Sequence, residues 1–349
     1  LCRNGERMIR IGLVGCGGIA HRHIEGYRRE LMGRADVVAG CDPNQETLDK
    51  FCDTHSVKSR FTSPQEMIAS GEVDVISLLT PPAVRDDVIY PAFDAGVHVL
   101  VEKPFAERLS DAAGFVKAAE RTGVKLAVGQ QLRFKQNMIA IQEAISAGTL
   151  GDIRHIAHDH YYNRASTRGW RKDETRLEIS IFSIHILDRI RTFAGVPPKT
   201  VSAVTRHWDP SVVGETFTHL RVEFENDAVG TMVSSWHALT LPESRLRIDG
   251  TLGSAISLSD SAVGDRATVR IQTSDGELQE QSFHEEQAMS HAMGRSMGHL
   301  LDAIETGTEP PHSGRDNLQT MEIVDGAYLS AERGEPVSVE ELRVSAGGD

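Results

Sequence analysis

Five short apolar runs fall within the first 130 residues: "MIRIGLV" from residue 8, "ADVVAGC" from 35, "VDVISLL" from 73, "VHVLVE" from 97 and "VKLAVG" from 124. None keeps the apolar-polar alternation of a strand with one wet face. Between them lie helical patterns such as "NQETLDKFCDTH" and "SDAAGFVKAAERTG". Strands apolar on both faces must be covered on both, and strands joined through helices run parallel. The combination predicts a doubly wound α/β sheet. Ser110 and Asp111 are read as the cap of the later helix and Gly123 as its stop.

After "GQQLRFKQN" the character changes. One helix, "KQNMIAIQEAISAG", is followed by longer alternating runs: "DIRHIAHDHYY", "TFTHLRVEFEND", "AVGTMVSSWHA", "SRLRIDGTLGSAISL" and "ATVRIQTSDGELQEQSF". Asn226-Asp227 and Asp249-Gly250 are read as hairpin turns. This predicts an α+β domain with a large, mainly antiparallel sheet, a helix over 176–193, and two closing helices near 286–306 and 315–332. The 349 residues suit roughly two domains. The expected division is a dinucleotide-binding domain over 1–129 and a substrate-binding and oligomerisation domain over 130–349.

Acidic residues exceed basic ones by 50 to 37, a net charge of −13, which argues against nucleic acid as a partner. No run approaches the ~18 apolar residues of a membrane span. "LCRNGERM" lacks the apolar centre of a signal peptide and reads as a short tail, with Met8 a candidate start. Cys2, Cys16, Cys41 and Cys52 have no metal-ligand spacing and are read as free thiols of a reducing cytoplasm, with no metal site.

Two motifs carry chemistry. The first run continues as "VGCGGIAHRHI", in which Gly15, Gly17 and Ala20 fit G-x-G-x-x-[GA]. Gly15 would permit the tight turn, Gly17 the approach of a pyrophosphate, and Ala20 close helix packing. Gly18 and Ile19 open the helix whose N-terminus would face the phosphates. Asp42, 22 residues beyond Ala20, is placed to bind the ribose hydroxyls and favours NAD, with NADP possible; its alternative role is a cap for the next helix. The second motif is "VHVLVEKPFA". It sets Glu102 and Lys103 at the carboxyl end of a buried strand, where ligands bind in open α/β sheets. A lysine in a partly dry cleft can exchange a proton with a substrate hydroxyl.

Together with "CDPN", "TPP" at 80–82, "LGDIRHIAHDH", "HILD" and "SGRDNLQTMEIVDGAYLSAERGEPV", these segments resemble the glucose-fructose oxidoreductase/inositol dehydrogenase (Gfo/Idh/MocA) family over about residues 8–337. The resemblance implies an NAD(P)-dependent oxidoreductase that moves a hydride between nicotinamide and a secondary alcohol or ketone of a sugar, polyol or cyclitol. It implies that Lys103 contacts substrate and nicotinamide ribose, and that Thr80, Pro81 and Pro82 line the cofactor. It aligns His185 with the family's proton acceptor. It also implies a homodimer or homotetramer built through the second-domain sheet.

The chain departs from the family pattern around that histidine. The aspartate expected four residues earlier is Ile181, and the glycine two earlier is Ser183. The usual glycine-rich stretch is "TRLE", 175–178, and a family histidine after T-P-x aligns with Arg85. A carboxylate would orient the imidazole and strengthen it as a base; isoleucine does neither. Glu178 and Asp188 are the candidate substitutes, with Asp188 read as tying the helix down. Period two puts His158, His160 and Tyr162 on one strand face, suited to a polyhydroxylated substrate or a subunit interface. Trp170 and Arg171 suit a sugar hydroxyl or carboxylate, or an ordered surface loop. Arg85, His160, Tyr162, Trp170, Arg171 and Glu178 are therefore the candidate substrate contacts, and Lys103 and His185 the candidate catalytic pair. Two alternatives stay open: a catalytically weak NAD-binding sensor, or an NAD-requiring glycoside hydrolase of the same fold.

Overall fold

A computed structural model describes residues 7–346 except 165, 166 and 168, so Cys2 lies outside the described residues. The chain divides into two compact units, residues 1–134 with 289–318, and 135–288 with 319–349.

The first unit contains β1 (Ile9–Val14), α1 (Gly18–Glu30), β2 (Ala35–Cys41), α2 (Gln45–His55), β3 (Ser59–Phe61), α3 (Pro64–Ala69), β4 (Val75–Leu78), α4 (Asp86–Asp94), β5 (His98–Glu102), α5 (Leu109–Thr122) and β6 (Leu126–Gly129). All six strands are parallel, in the order β3-β2-β1-β4-β5-β6. The inner strand β4 and the edge strand β6 are buried at every position, which is why their sequences do not alternate. The strand order reverses between β1 and β4, and the carboxyl ends of strands at such a reversal form the ligand crevice of this architecture. Gly123 ends α5 at φ +74°, but Ser110 and Asp111 lie inside the first turn, because the helix starts one residue before them.

The second unit contains α6 (Gln136–Ser146), β7 (Ile153–Tyr161), α7 (Ile184–Ala194), β8 (Pro198–Arg206), β9 (Phe217–Phe224), β10 (Val229–Ser235), β11 (Glu243–Gly250), β12 (Gly253–Ser259), β13 (Arg266–Thr273) and β14 (Gln279–His284). The chain then runs through α8 (Ala288–Thr306), α9 (Gly314–Arg333), β15 (Val337–Ser338) and α10 (Val339–Ser345). The nine-stranded sheet has the order β14-β13-β12-β11-β7-β10-β9-β8-β15 and is antiparallel except for β7 with β10. Buried positions alternate with exposed or half-buried ones along β9, β10 and β11, so one face is packed and the other is more open. α7 packs on the buried face over β7 and β10.

Two expectations are corrected. Asp249-Gly250 ends β11 rather than forming the turn, which falls on the next two residues. The helix expected over 176–193 is composite: Glu178–Ser183 is π-helical and only Ile184–Ala194 is α-helical.

Candidate active site

At the end of β1 the chain must turn at once into α1. Gly15 does this at φ +97°, and a Cβ there would stand 3.2 Å from the Leu79 carbonyl carbon, so only glycine fits. Gly17 and Gly18 differ: both are exposed, and a Cβ on either would meet nothing within 4 Å. No packing within the protein requires glycine at these two positions, and the first turn of α1 carries no acidic residue. The backbone N–H groups of a bare, open helix start fit an anionic pyrophosphate. Ile19 is half-buried and Ala20 is fully buried.

Asp42 makes structural contacts that the sequence did not reveal. Its Oδ2 accepts the Cys16 N–H at 2.9 Å and its Oδ1 the Asn44 N–H at 2.9 Å. The cap of α2 is Asn44, which accepts the Thr47 N–H at 2.9 Å. Asp42 thus braces the glycine turn against the end of β2. Past β4, Thr80 has a buried Oγ1 with no partner in the protein, and Pro82 starts a short 3-10 turn.

The E-K-P segment rests on a buried polar chain. Glu102 accepts from His23 Nε2 at 3.0 Å, His23 Nδ1 meets the Tyr27 hydroxyl at 2.8 Å, and that hydroxyl meets Ser77 Oγ at 2.8 Å. One proton assignment satisfies every atom: His23 donates to Glu102, Tyr27 to His23, and Ser77 to Tyr27. Burial acts to raise the Glu102 carboxyl, but His23, Lys103 and Arg85 outweigh it and hold the group below the usual carboxylate range. Lys103 follows, half-buried, on a cis peptide bond to Pro104.

Arg85, a candidate substrate contact, is 1% exposed. Its guanidinium donates to the carbonyls of Pro104, Phe105 (3.1 Å) and Thr80 (2.8 Å). Burial pushes it down to about 9 against the opposing field of Glu102. In this structure Arg85 is a brace that ties the T-P-P segment to the E-K-P turn.

In the second unit the π-helical turn decides where its side chains go. A π-helix repeats at i+5, and Ser183 donates to Glu178 Oε1 across that spacing. Glu178 is fully buried, which pushes its carboxyl up, with Ser183, Ser234 and Thr218 opposing. Ile181 packs with Leu177, Val212 and Trp236 in an apolar cluster. His185 stands in the first turn of α7 and is 6% exposed. Asp188 accepts from Arg191 at 3.1 Å and from Thr320 at 2.9 Å, which ties α7 to α9 as expected.

His158 and His160 share the buried face of β7, as the period-two reading requires. Burial first, then Arg164 and Arg189, push His160 down to about 3. Tyr162 stacks on His160 with ring centroids 4.1 Å apart, and Arg164 lies over both Tyr162 and Phe182. Trp170 is 39% exposed and Arg171 lies over its ring at 5.3 Å, a pair on an open turn.

Three features were missed in the sequence. One is the His23–Tyr27 pair, spaced i, i+4 on α1, for which that spacing was the available signal. The second is a polar row across the buried sheet face: Thr218, Ser234, His160 and Ser244 stand in register on β9, β10, β7 and β11. The third is Arg189, hidden in an apolar helix. Among the described residues, no group of three His, Cys, Asp or Glu side chains could hold a metal ion. Cys16, Cys41 and Cys52 are free and buried.

A doubly wound sheet whose first βα turn is an open glycine cradle defines a dinucleotide-binding protein. Residues 9–130 match the oxidoreductase family with an NAD-binding Rossmann fold, and 142–339 match that family's C-terminal α/β domain. The chain belongs to the Gfo/Idh/MocA oxidoreductases and is an NAD-dependent oxidoreductase. A D-apiose dehydrogenase of Paraburkholderia graminis is 25% identical over 96% of this chain and 90% of its own. An inositol 2-dehydrogenase of Rhizobium meliloti is 22% identical over 95% and 99%. An Agrobacterium radiobacter oxidoreductase, solved with NAD+, L-tartaric acid and magnesium, superposes with a TM-score of 0.89 at 22% identity over 96% and 100%.

Proposed function

We propose that this protein is a dehydrogenase or reductase of a secondary alcohol in a sugar, polyol or cyclitol. The observation that carries the substrate class is the polar row. His160 Nδ1 is buried without a hydrogen-bond partner among the described residues, and beside it Thr218 and Ser234 turn their buried hydroxyls toward the Glu178 carboxyl. Buried polar atoms need partners, and a ligand with several hydroxyls can donate to and accept from such a lining. The relatives named for apiose and inositol support the same class.

NAD, when bound, supplies the hydride acceptor. The chain supplies position and proton handling. Lys103, held on the braced E-K-P turn, is proposed to bind the reacting hydroxyl. His185 is proposed to take its proton. Gly15, Gly17 and the start of α1 hold the pyrophosphate, Asp42 the ribose, and Thr80–Pro82 the nicotinamide side. Cytoplasmic location is proposed from the buried free thiols, and a homo-oligomer from the open face of the nine-stranded sheet.

A second reading is favoured by Ile181, which puts aliphatic bulk where an orienting acid would stand: an NAD-binding sensor with weak turnover. NADH formation, followed by absorbance over a panel of sugars, polyols and cyclitols, separates the two. Lys103→Ala is expected to lower kcat/KM by about a thousandfold or more while NAD affinity changes less than about tenfold. Unchanged turnover in that variant ends the proposed mechanism, and tight NAD binding with no turnover on any compound favours the sensor.

A further inference from the structure

Three arginines among the described residues are almost fully buried, and they are not used alike. Arg85 has both terminal nitrogens on carbonyls. Arg191 donates to Thr320 at 3.0 Å and to Asp188 at 3.1 Å. Arg189, 2% exposed, makes a single hydrogen bond, from Nε to the His185 carbonyl at 3.2 Å, and its Nη2 is buried with no partner. Among the described residues no carboxylate stands within ion-pair distance of it. Its neighbour Asp188 accepts from Arg191 and Thr320 and acts on Arg189 only through its field.

A second buried cation has the same deficit. Lys135, 4% exposed, donates to the carbonyls of Ala262 (3.1 Å) and Gly264 (2.7 Å) and has no ion pair among the described residues. An ammonium has three donors, so one is left. Across from α7, on β7, His158 is bonded through Nε2 to Ser244 Oγ at 3.3 Å, and the Nδ1 atoms of His158 and His160 are buried without partners. These groups lie within each other's electrostatic reach. The positive charge of Arg189 depresses Lys135, which sits near 8, and also both histidines, burial being the larger cause in each case. Asp265 and Glu285 act on Lys135 in the opposite sense.

One guanidinium edge and one ammonium hydrogen therefore remain available beside two imidazoles whose Nδ1 atoms are also buried without partners. A planar guanidinium edge with a nearby ammonium matches a carboxylate. We infer that Arg189 and Lys135 form an anion-binding subsite one helical turn from His185, and that the substrate is an acidic sugar, an aldonate or a uronate. This rests on the proposed dehydrogenase reading for the substrate's hydroxyl chemistry, but the anion site stands on its own residues.

The test uses the full chain saturated with NADH and compares acid and neutral partners of the same skeleton by calorimetric titration: gluconate with glucitol, and glucuronate with glucose. At least one acid is expected to bind about tenfold or more tightly than its neutral partner. Arg189→Met and Lys135→Gln are each expected to reduce that preference to less than about threefold, with Arg189→Lys retaining part of it. If Arg189→Met does not fold, Lys135→Gln and Arg189→Lys still read the preference. Neutral partners binding as well as acids, or no acid binding at all, overturns the inference, as does an unchanged preference in folded variants. Sugar phosphates bound better than either acid overturn the carboxylate assignment. NAD+ reduction with the same pairs reads the other claim. Acid binding without turnover defeats the dehydrogenase reading and leaves the subsite standing. Turnover of neutral partners alone does the reverse.

Discussion

Replacing His23 by leucine tests the idea that the E-K-P turn rests on a buried ion-dipole chain. In the wild type, Glu102 is fully buried and keeps its charge because His23 donates to it at 3.0 Å. His23→Leu removes the donor and leaves the carboxylate beneath Lys103 without its main support. Breaking a buried pair by deleting one member costs about 3–5 kcal/mol. For a unit of this size that corresponds to a fall in Tm of roughly 6–20 °C. The pH dependence has a definite sign. The folded Glu102 of the wild type lies below its unfolded value, so its contribution is present above about pH 4.3 and fades as the pH falls through the folded value. In the variant only Lys103 and Arg85 still oppose burial, so the folded group is expected to rise above its unfolded value and stability to be lost as the pH rises. The deficit against wild type should therefore widen between about pH 5 and about pH 8. Thermal melts at both pH values read this directly. Glu102→Gln in the same background should recover much of the loss, because a neutral amide needs no counter-charge. A deficit independent of pH, or a coupling between the two substitutions below about 0.5 kcal/mol, refutes the argument.

Gly17→Ser should leave Tm within about 2 °C, since a Cβ there meets nothing and serine caps a helix, yet weaken NAD binding by about tenfold or more, measurable by fluorescence titration. Asp188→Ala should cost about 3–5 kcal/mol in denaturant unfolding by removing the buried carboxylate that pairs with Arg191, and Arg191→Met in that background should restore part of it. The folded Glu178 carboxyl is raised, so its contribution is present below about pH 4.3 and is lost as the pH rises through the folded value. Glu178→Gln should therefore gain stability relative to wild type between about pH 5 and pH 8, and equal melts at both ends contradict a buried, protonation-favouring site.

The parallel sheet was legible because strands dry on both faces lose their alternation, and the glycine turn because its spacing serves one geometry. β7 was legible down to which histidines face inward. The π-helical turn was not. Counting Glu178 and His185 as seven apart on one α-helical face assumes 3.6 residues per turn, and one inserted residue per turn breaks that count. What Glu178 meets instead is Ser183. β8 went unread because "PKTVSAVTR" opens with proline and lysine and pairs from a position next to the sheet edge. The row Thr218–Ser234–His160–Ser244 depends on registers between strands far apart in the chain. No local pattern encodes it.

The membership of residues 289–318 in the first unit bears on how the protein is made. Met297, Leu300 and Leu301 belong to the same core as Leu13, Ile24 and Tyr27. The fit is close: a Cβ on Gly26 would lie 1.8 Å from the Ser290 carbonyl oxygen. The nucleotide-binding half therefore cannot finish folding when its own 134 residues leave the ribosome. It must wait, at about 5–20 residues per second, for roughly 10–30 s of further synthesis, with one flank of its core uncovered. A fragment ending at residue 134 is expected to be a chaperone client and not a transplantable module, and a nascent chain paused between residues 134 and 289 is the species most exposed to aggregation.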